Sequence, residues 1–153
     1  NNITFQIYGS GSGIKVLEKR CICQGLSNVT FNGYCEASEI NNVLNSFDFH
    51  IVSLKTNFSK FVYPSKFYNA VKLKSPTIFI GPKSSSMADF INARGIGFNL
   101  SEVAQLQQCI DYVELFCNSS HFRATVLQNC EASSLAIKSI QDISQDWFKI
   151  LYI

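Results

Sequence analysis

The chain has 153 residues, of which 46% are hydrophobic, and its formal net charge at pH 7 is +2. This length suits one domain with a buried core, and the apolar fraction argues against intrinsic disorder. The small charge and the scattered Lys and Arg residues exclude the basic face of a nucleic-acid-binding protein, and no apolar run reaches the roughly 18 residues of a transmembrane helix.

Apolar segments typical of strands alternate with amphipathic segments typical of helices. The predicted strands are Ile3–Tyr8, Val29–Phe31, Phe49–Leu54, Thr77–Ile80 and Ile96–Phe98. The predicted helices are Ile14–Gln24, Ala37–Asn45, Ser65–Lys72, Ser86–Ala93, Val103–Phe116, His121–Glu131 and Leu135–Tyr152. Such alternation indicates right-handed βαβ units. We therefore expect a single α/β domain over residues 1–153, with a doubly wound, Rossmann-like parallel sheet, helices on both faces and a C-terminal helical tail.

A glycine-rich turn, Gly9-Ser10-Gly11-Ser12-Gly13, joins the first strand to the first helix. Such a turn lets a ligand phosphate approach the backbone. Its spacing is G-x-G-x-G, because Ile14 stands where the dinucleotide fingerprint needs its last glycine. We therefore expect a flexible turn that lines a cleft, and we rank a nicotinamide-dependent enzyme as a lesser alternative.

A stronger anion-binding signal is the segment Pro64-Ser65-Lys66, which reads as the start of a helix. The free amides of a first helical turn, together with a hydroxyl and a cation, suit a pyrophosphate. The alternative is an ordinary helix start with a solvated lysine. A second helix start at Ser84-Ser85-Ser86 predicts capping, with a secondary phosphate contact as the other option.

The six Cys residues lack the spacing of a zinc site, and neither of the two His residues lies near a Cys pair. This pattern favours a reduced, cytosolic protein that uses Cys as a small apolar residue. Asp48 and His50 flank Phe49 in a predicted strand, but no nucleophile accompanies them, so no catalytic residue is assigned. Since the chain has no initiator Met and no secretory signal, we expect it to be part of a longer polypeptide.

Several motifs, taken in their order along the chain, carry a family resemblance. They are Gly9-Ser10-Gly11, Val29-Thr30-Phe31-Asn32-Gly33-Tyr34, the segment Ile40–Phe49, Pro64-Ser65-Lys66-Phe67-Tyr68, Pro76-Thr77-Ile78 and Gly95-Ile96-Gly97. In this order the chain resembles the C-terminal, donor-binding domain of a GT-B-type glycosyltransferase. It is most similar to the retaining family 4, in the Pro-Ser-Lys sub-group of bacterial colanic-acid and exopolysaccharide transferases.

The resemblance implies a nucleotide-diphosphate sugar as donor, no metal or other cofactor, and transfer to an acceptor hydroxyl in polysaccharide or lipopolysaccharide synthesis. The acceptor glycan or glycolipid would bind to an N-terminal domain that this chain lacks. A cytoplasmic location is implied, with peripheral association with the inner membrane as an option for the full protein.

The resemblance also assigns roles to residues. Gly33 and Tyr34 would lie beside the base, the segment Phe61–Lys66, which includes Pro64 and Ser65, would pass the sugar and diphosphate, and Asn69 would reach the ribose.

The chain departs from the family pattern at three positions. Phe61 and Asn69 stand where the family has paired glutamates. Lys74 stands where the family commonly has a glycine, two positions before Pro76. We therefore expect the isolated chain to be inactive. The alternative function is a catalytically inactive, glycosyltransferase-like interaction module.

Overall fold

The computed structural model describes residues 3–55 and 65–137. The strands are β1 (Phe5–Tyr8), β2 (Val29–Gly33), β3 (His50–Ser53), β4 (Thr77–Ile80) and β5 (Gly97–Leu100). The helices are α1 (Ser12–Cys23), α2 (Ile40–Asn45), α3 (Ser65–Lys72), α4 (Ser86–Arg94), α5 (Leu106–Asn118) and α6 (Ser120–Ala136), with a short 3-10 helix at Val103–Gln105. Within the described ranges, no helix has both the length and the hydrophobicity needed to cross a membrane.

The strands of the described residues pair in parallel. Together with the flanking helices and the helical C-terminal region, this pairing confirms the predicted α/β class. The strands form two sheets rather than one, with β1 beside β2 and with β4 between β3 and β5. The chain divides into two compact units, Asn1–Val43 and Leu44–Ile153. The prediction of a single domain stays a prediction.

Most predicted boundaries lie within three residues of those in the structure, but α6 continues through residues 132–134, where a break between two helices was predicted. Helix α3 and strand β4 begin and end where predicted. The predicted helix Val103–Phe116 is instead divided, because the Gln105 Oε1 atom accepts bonds from the backbone and hydroxyl of Ser101 and holds the entry to α5 in a tight turn. Of the last predicted helix, Leu135 and Ala136 belong to α6, and residues 138–153 lie outside the described part.

The core of the second unit lies between its sheet and its helices. Val52 and Phe79, paired in register on one face of the sheet, join residues of α3 and α4 in a single buried cluster. Phe98 points to the opposite face, because successive side chains of a strand alternate. Its ring lies 5.7 Å from that of Tyr112 in α5, measured between centroids. Helices therefore flank both faces of this sheet, although Ile51 and Ile80 on the Phe98 face are exposed.

The six cysteines are free thiols, and Cys21, Cys109 and Cys130 are buried. Burial raises the pKa of Cys109, and it raises the pKa of Cys130 to about 12. These two thiols therefore stay protonated at neutral pH and are poor nucleophiles. Their burial agrees with the use of Cys as a small apolar residue.

Helix α3 ends in a Schellman motif whose left-handed residue is Lys74. The Ser75 amide donates to the Ala70 carbonyl, the Lys74 amide donates to the Val71 carbonyl, and Lys74 has φ of 58°. This position is usually glycine, because a side chain is strained in the left-handed region. Lys74 also pairs with Glu131 at 2.7 Å on the surface, where ion pairs contribute little.

Glycine and alanine variants of Lys74 should reveal this backbone strain. Both Lys74→Gly and Lys74→Ala remove the ion pair, but only glycine relieves the left-handed conformation. We expect Lys74→Gly to be more stable than Lys74→Ala by about 1 kcal/mol in urea denaturation. At Lys72, the last residue of the helix, the backbone is still helical, so the alanine variant should instead be the more stable of the two. Equal stability of the two Lys74 variants would contradict the assigned backbone conformation.

Candidate functional site

The predicted anion-binding residues Ser65 and Lys66 occupy the first turn of α3. The helix begins at Ser65 and buries one face through Phe67, Ala70 and Val71, whereas Ser65 and Lys66 are exposed. The amides of a first helical turn have no acceptor within their own helix, and such amides can bind an anion. In the part of the chain that the structure describes, a hydroxyl and an ammonium group therefore stand beside backbone donors that the helix itself does not use. Pro64 lies outside the described residues.

Asn69 lies on the same exposed side of α3. It follows Ser65 by four residues and Lys66 by three, which places the three side chains next to one another on a helix surface. Asn69 is itself exposed. The structure therefore brings together the three predicted residues of the second unit that it describes.

The sheet of the second unit determines where this helix end lies. His50, Thr77 and Gly97 are in register at the start of β3, β4 and β5, so the carboxyl ends of the three strands share one edge. Helix α3 follows β3 in the chain, and α4 follows β4. Both helices therefore begin on the side of the carboxyl edge, which is where open parallel sheets bind ligands.

The turn that follows β4 is fixed by Asn99, a residue that the sequence analysis did not select. The Asn99 amide donates to the Phe79 carbonyl at 3.3 Å and to the Gly81 carbonyl at 3.2 Å. A Cβ atom on Gly81 would lie 2.3 Å from the Phe79 ring, so only glycine fits there. No local signal identifies this residue, because Asn99 alternates with the apolar Phe98 and Leu100 along β5, a pattern that predicts an exposed side chain, whereas Asn99 is buried.

Helix α4 begins at the serine cluster, and Ser85 is its N-cap. The Ser85 hydroxyl accepts a bond from the Ala88 amide at 3.2 Å, and the side chain is 1% exposed. The predicted capping role is therefore confirmed for Ser85. Ser84 and Ser86 are exposed, and a phosphate contact by this cluster stays a prediction.

The remaining predicted residues belong to the first unit. The Gly9 amide donates to the Gly33 carbonyl at the carboxyl end of β1 and β2, and φ is 138° at Gly9 and 70° at Gly33. Both conformations favour glycine. Ser10, Gly11 and Tyr34 are exposed beside this pair. The structure therefore brings the first-unit candidates together at one sheet edge, and their role in binding stays a prediction.

His50 does not form a catalytic pair with Asp48. Its ring hydrogen-bonds the backbone of Leu44, and burial lowers its pKa despite this bond. Asp48 is exposed. In the part of the chain that the structure describes, no three His, Cys, Asp or Glu side chains form a group suited to a metal ion.

Comparison with protein-family models found no family that matches this chain, and comparison with curated proteins found no match either. The family resemblance therefore rests on the motifs and on their order.

The cap of α4 can be tested by alanine variants at two neighbouring serines. Ser85→Ala removes the acceptor of the Ala88 amide and should lower the free energy of unfolding by about 1 kcal/mol. Ser84→Ala is the control and should change it by less than about 0.5 kcal/mol, because this side chain is exposed. Urea denaturation followed by circular dichroism measures both. The assigned N-cap is wrong if Ser84→Ala is the more damaging variant.

Proposed function

We propose that this chain is the nucleotide-sugar-binding domain of a GT-B-type glycosyltransferase, with the donor diphosphate at the N-terminus of α3. The observation that carries the proposal is the exposed pair Ser65 and Lys66 in the first turn of a helix that begins at the carboxyl edge of a parallel sheet. The motif order that resembles family 4 supports the same function.

Several weak attractions can act on one anion at the N-terminus of α3. A helix N-terminus contributes about 0.3–1 kcal/mol toward a negative group at an exposed site. Charge-assisted hydrogen bonds from an ammonium group are about twice as strong as neutral ones. A diphosphate accepts bonds on several oxygens at once, so the amides, Ser65 and Lys66 can bind it together.

The same contacts explain how such a domain assists sugar transfer. Negative charge grows on the diphosphate as its bond to the sugar breaks, and fixed donors stabilise that charge without reorganising. The sugar passes to an acceptor hydroxyl of a glycan or glycolipid. The configuration at the anomeric carbon is retained, as in the family that the chain resembles. In this proposal no metal is required, and the enzyme works in the cytoplasm or at the inner membrane surface.

The other predicted residues recognise the rest of the donor. Asn69 bonds a ribose hydroxyl as a neutral partner, which gives a weaker bond than the family's glutamate would. Gly33 and Tyr34 read the base, and the turn at Gly9, Ser10 and Gly11 lets the ligand approach the backbone.

A catalytically inactive, glycosyltransferase-like module is the second candidate. One specific observation favours it: Phe61 and Asn69 replace both glutamates of the family pattern. Such a module would keep the fold and lose donor turnover.

The proposal predicts that Lys66 contributes to nucleotide affinity. In the complete protein, Lys66→Ala should weaken the binding of a nucleoside diphosphate by about 1–3 kcal/mol, the range for the loss of a charge-assisted bond. Lys72→Ala, at the opposite end of α3, is the control and should leave the affinity unchanged. Isothermal titration calorimetry measures both.

Two results separate the candidates. Nucleotide binding that depends on Lys66, together with hydrolysis or transfer of a nucleotide sugar, supports the enzyme. Absence of nucleotide binding supports the module, and binding that Lys66→Ala leaves unaltered removes Lys66 from the site.

A further inference from the structure

The second unit contains buried polar atoms whose hydrogen-bonding capacity is unused within the described residues. There are four such side-chain atoms: His50 Nε2, Thr77 Oγ1, Tyr112 Oη and Ser133 Oγ. A buried polar group without a partner costs about 1–3 kcal/mol, so native proteins rarely leave one unpaired. Two of the four, on His50 and Thr77, belong to directly neighbouring residues.

The sheet register places His50 and Thr77 side by side. They are paired in the parallel ladder between β3 and β4, and the His50 amide donates to the Pro76 carbonyl at 2.9 Å. Neighbouring strands lie about 4.8 Å apart, and residues paired in this way project their side chains from the same face. Both residues therefore project their side chains from the same face of the sheet, on neighbouring strands.

The chemistry of the His50 ring fixes what its partner must be. The ring hydrogen-bonds the Leu44 backbone, and since Nε2 has no partner, that bond comes from Nδ1–H. In the neutral ring, Nε2 then carries a lone pair and can only accept. A group that donates a proton must therefore reach it.

The Thr77 hydroxyl does not supply this proton directly, although it is a donor. Thr77 is 0% exposed, and its Oγ1 bonds neither to His50 nor to another described residue. One water molecule could use both groups, because it can donate a hydrogen bond to a ring nitrogen and share a second hydrogen bond with a hydroxyl. Two polar partners are the minimum that buried waters have.

We propose that one water molecule is bound inside the second unit between His50 Nε2 and Thr77 Oγ1, where it donates to the ring nitrogen and shares a second bond with the hydroxyl. Through the Nδ1 bond to Leu44, this water links the end of α2 to the start of β4. The site therefore joins Leu44 to strands β3 and β4 of this unit.

Replacement of Thr77 by valine tests the proposal, because a bound water and a dry site predict opposite changes in the stability of the protein. Valine keeps the shape of the side chain and removes only the hydroxyl. If the water is present, Thr77→Val deprives it of a partner and should raise the unfolding equilibrium constant about tenfold. If the site is dry, the same variant removes an unpaired buried hydroxyl and should lower that constant.

A matched control and a direct observation complete the test. Thr30→Val makes the same exchange at an exposed position of β2 and should leave the constant nearly unchanged. A crystal structure of the unaltered chain should show an ordered water within about 3.2 Å of both atoms. Stabilisation by Thr77→Val, or a crystal structure without this water, would overturn the proposal. If the variant fails to fold, the crystal structure decides.

Discussion

The parallel register of β3, β4 and β5 is the constraint on which the candidate site depends. Because His50, Thr77 and Gly97 are in register, the three strands end at a common edge. The chain must then return to the opposite edge before each new strand, and it does so through α3 and α4. The N-terminus of α3 follows from this register, and with it the position of Ser65 and Lys66.

The register is maintained by close backbone contact as well as by hydrogen bonds. A Cβ atom on Gly97 would lie 1.9 Å from the Thr77 carbonyl oxygen, so a larger residue would push β5 away from β4. At the other end of the strands, the Asn99 amide bonds the Phe79 and Gly81 carbonyls and holds the turn that leads to α4. Both ends of the β4–β5 pair are thus fixed by specific residues.

Local signals in the sequence were sufficient to predict most of the helices and strands. Helix α3 and strand β4 were predicted at both ends, because Pro64 precedes the helix and Gly81-Pro82 closes the strand. The start of α2 was placed three residues early, since Ala37–Glu39 form a turn that has no distinct sequence signature. The two sheets and the division into two units depend on long-range pairing, which local periodicity does not encode.

The site was only partly predictable for the same reason. Ser65 and Lys66 were identified from a helix-start motif, which is a local pattern. The contribution of Asn99 depends on contacts with residues about twenty positions away, and the left-handed conformation of Lys74 contradicts the usual preference for glycine. Neither the role of Asn99 nor the backbone conformation of Lys74 can be inferred from that residue and its immediate neighbours in the sequence.

The most direct test of the central claim is an amide-resolved NMR titration of the protein with a nucleoside diphosphate. A diphosphate bound at the N-terminus of α3 should shift the backbone amide signals of Ser65, Lys66 and Phe67 more than those at the opposite end of the same helix. Saturable binding that leaves these three amides unmoved, or no binding at all, would contradict the account.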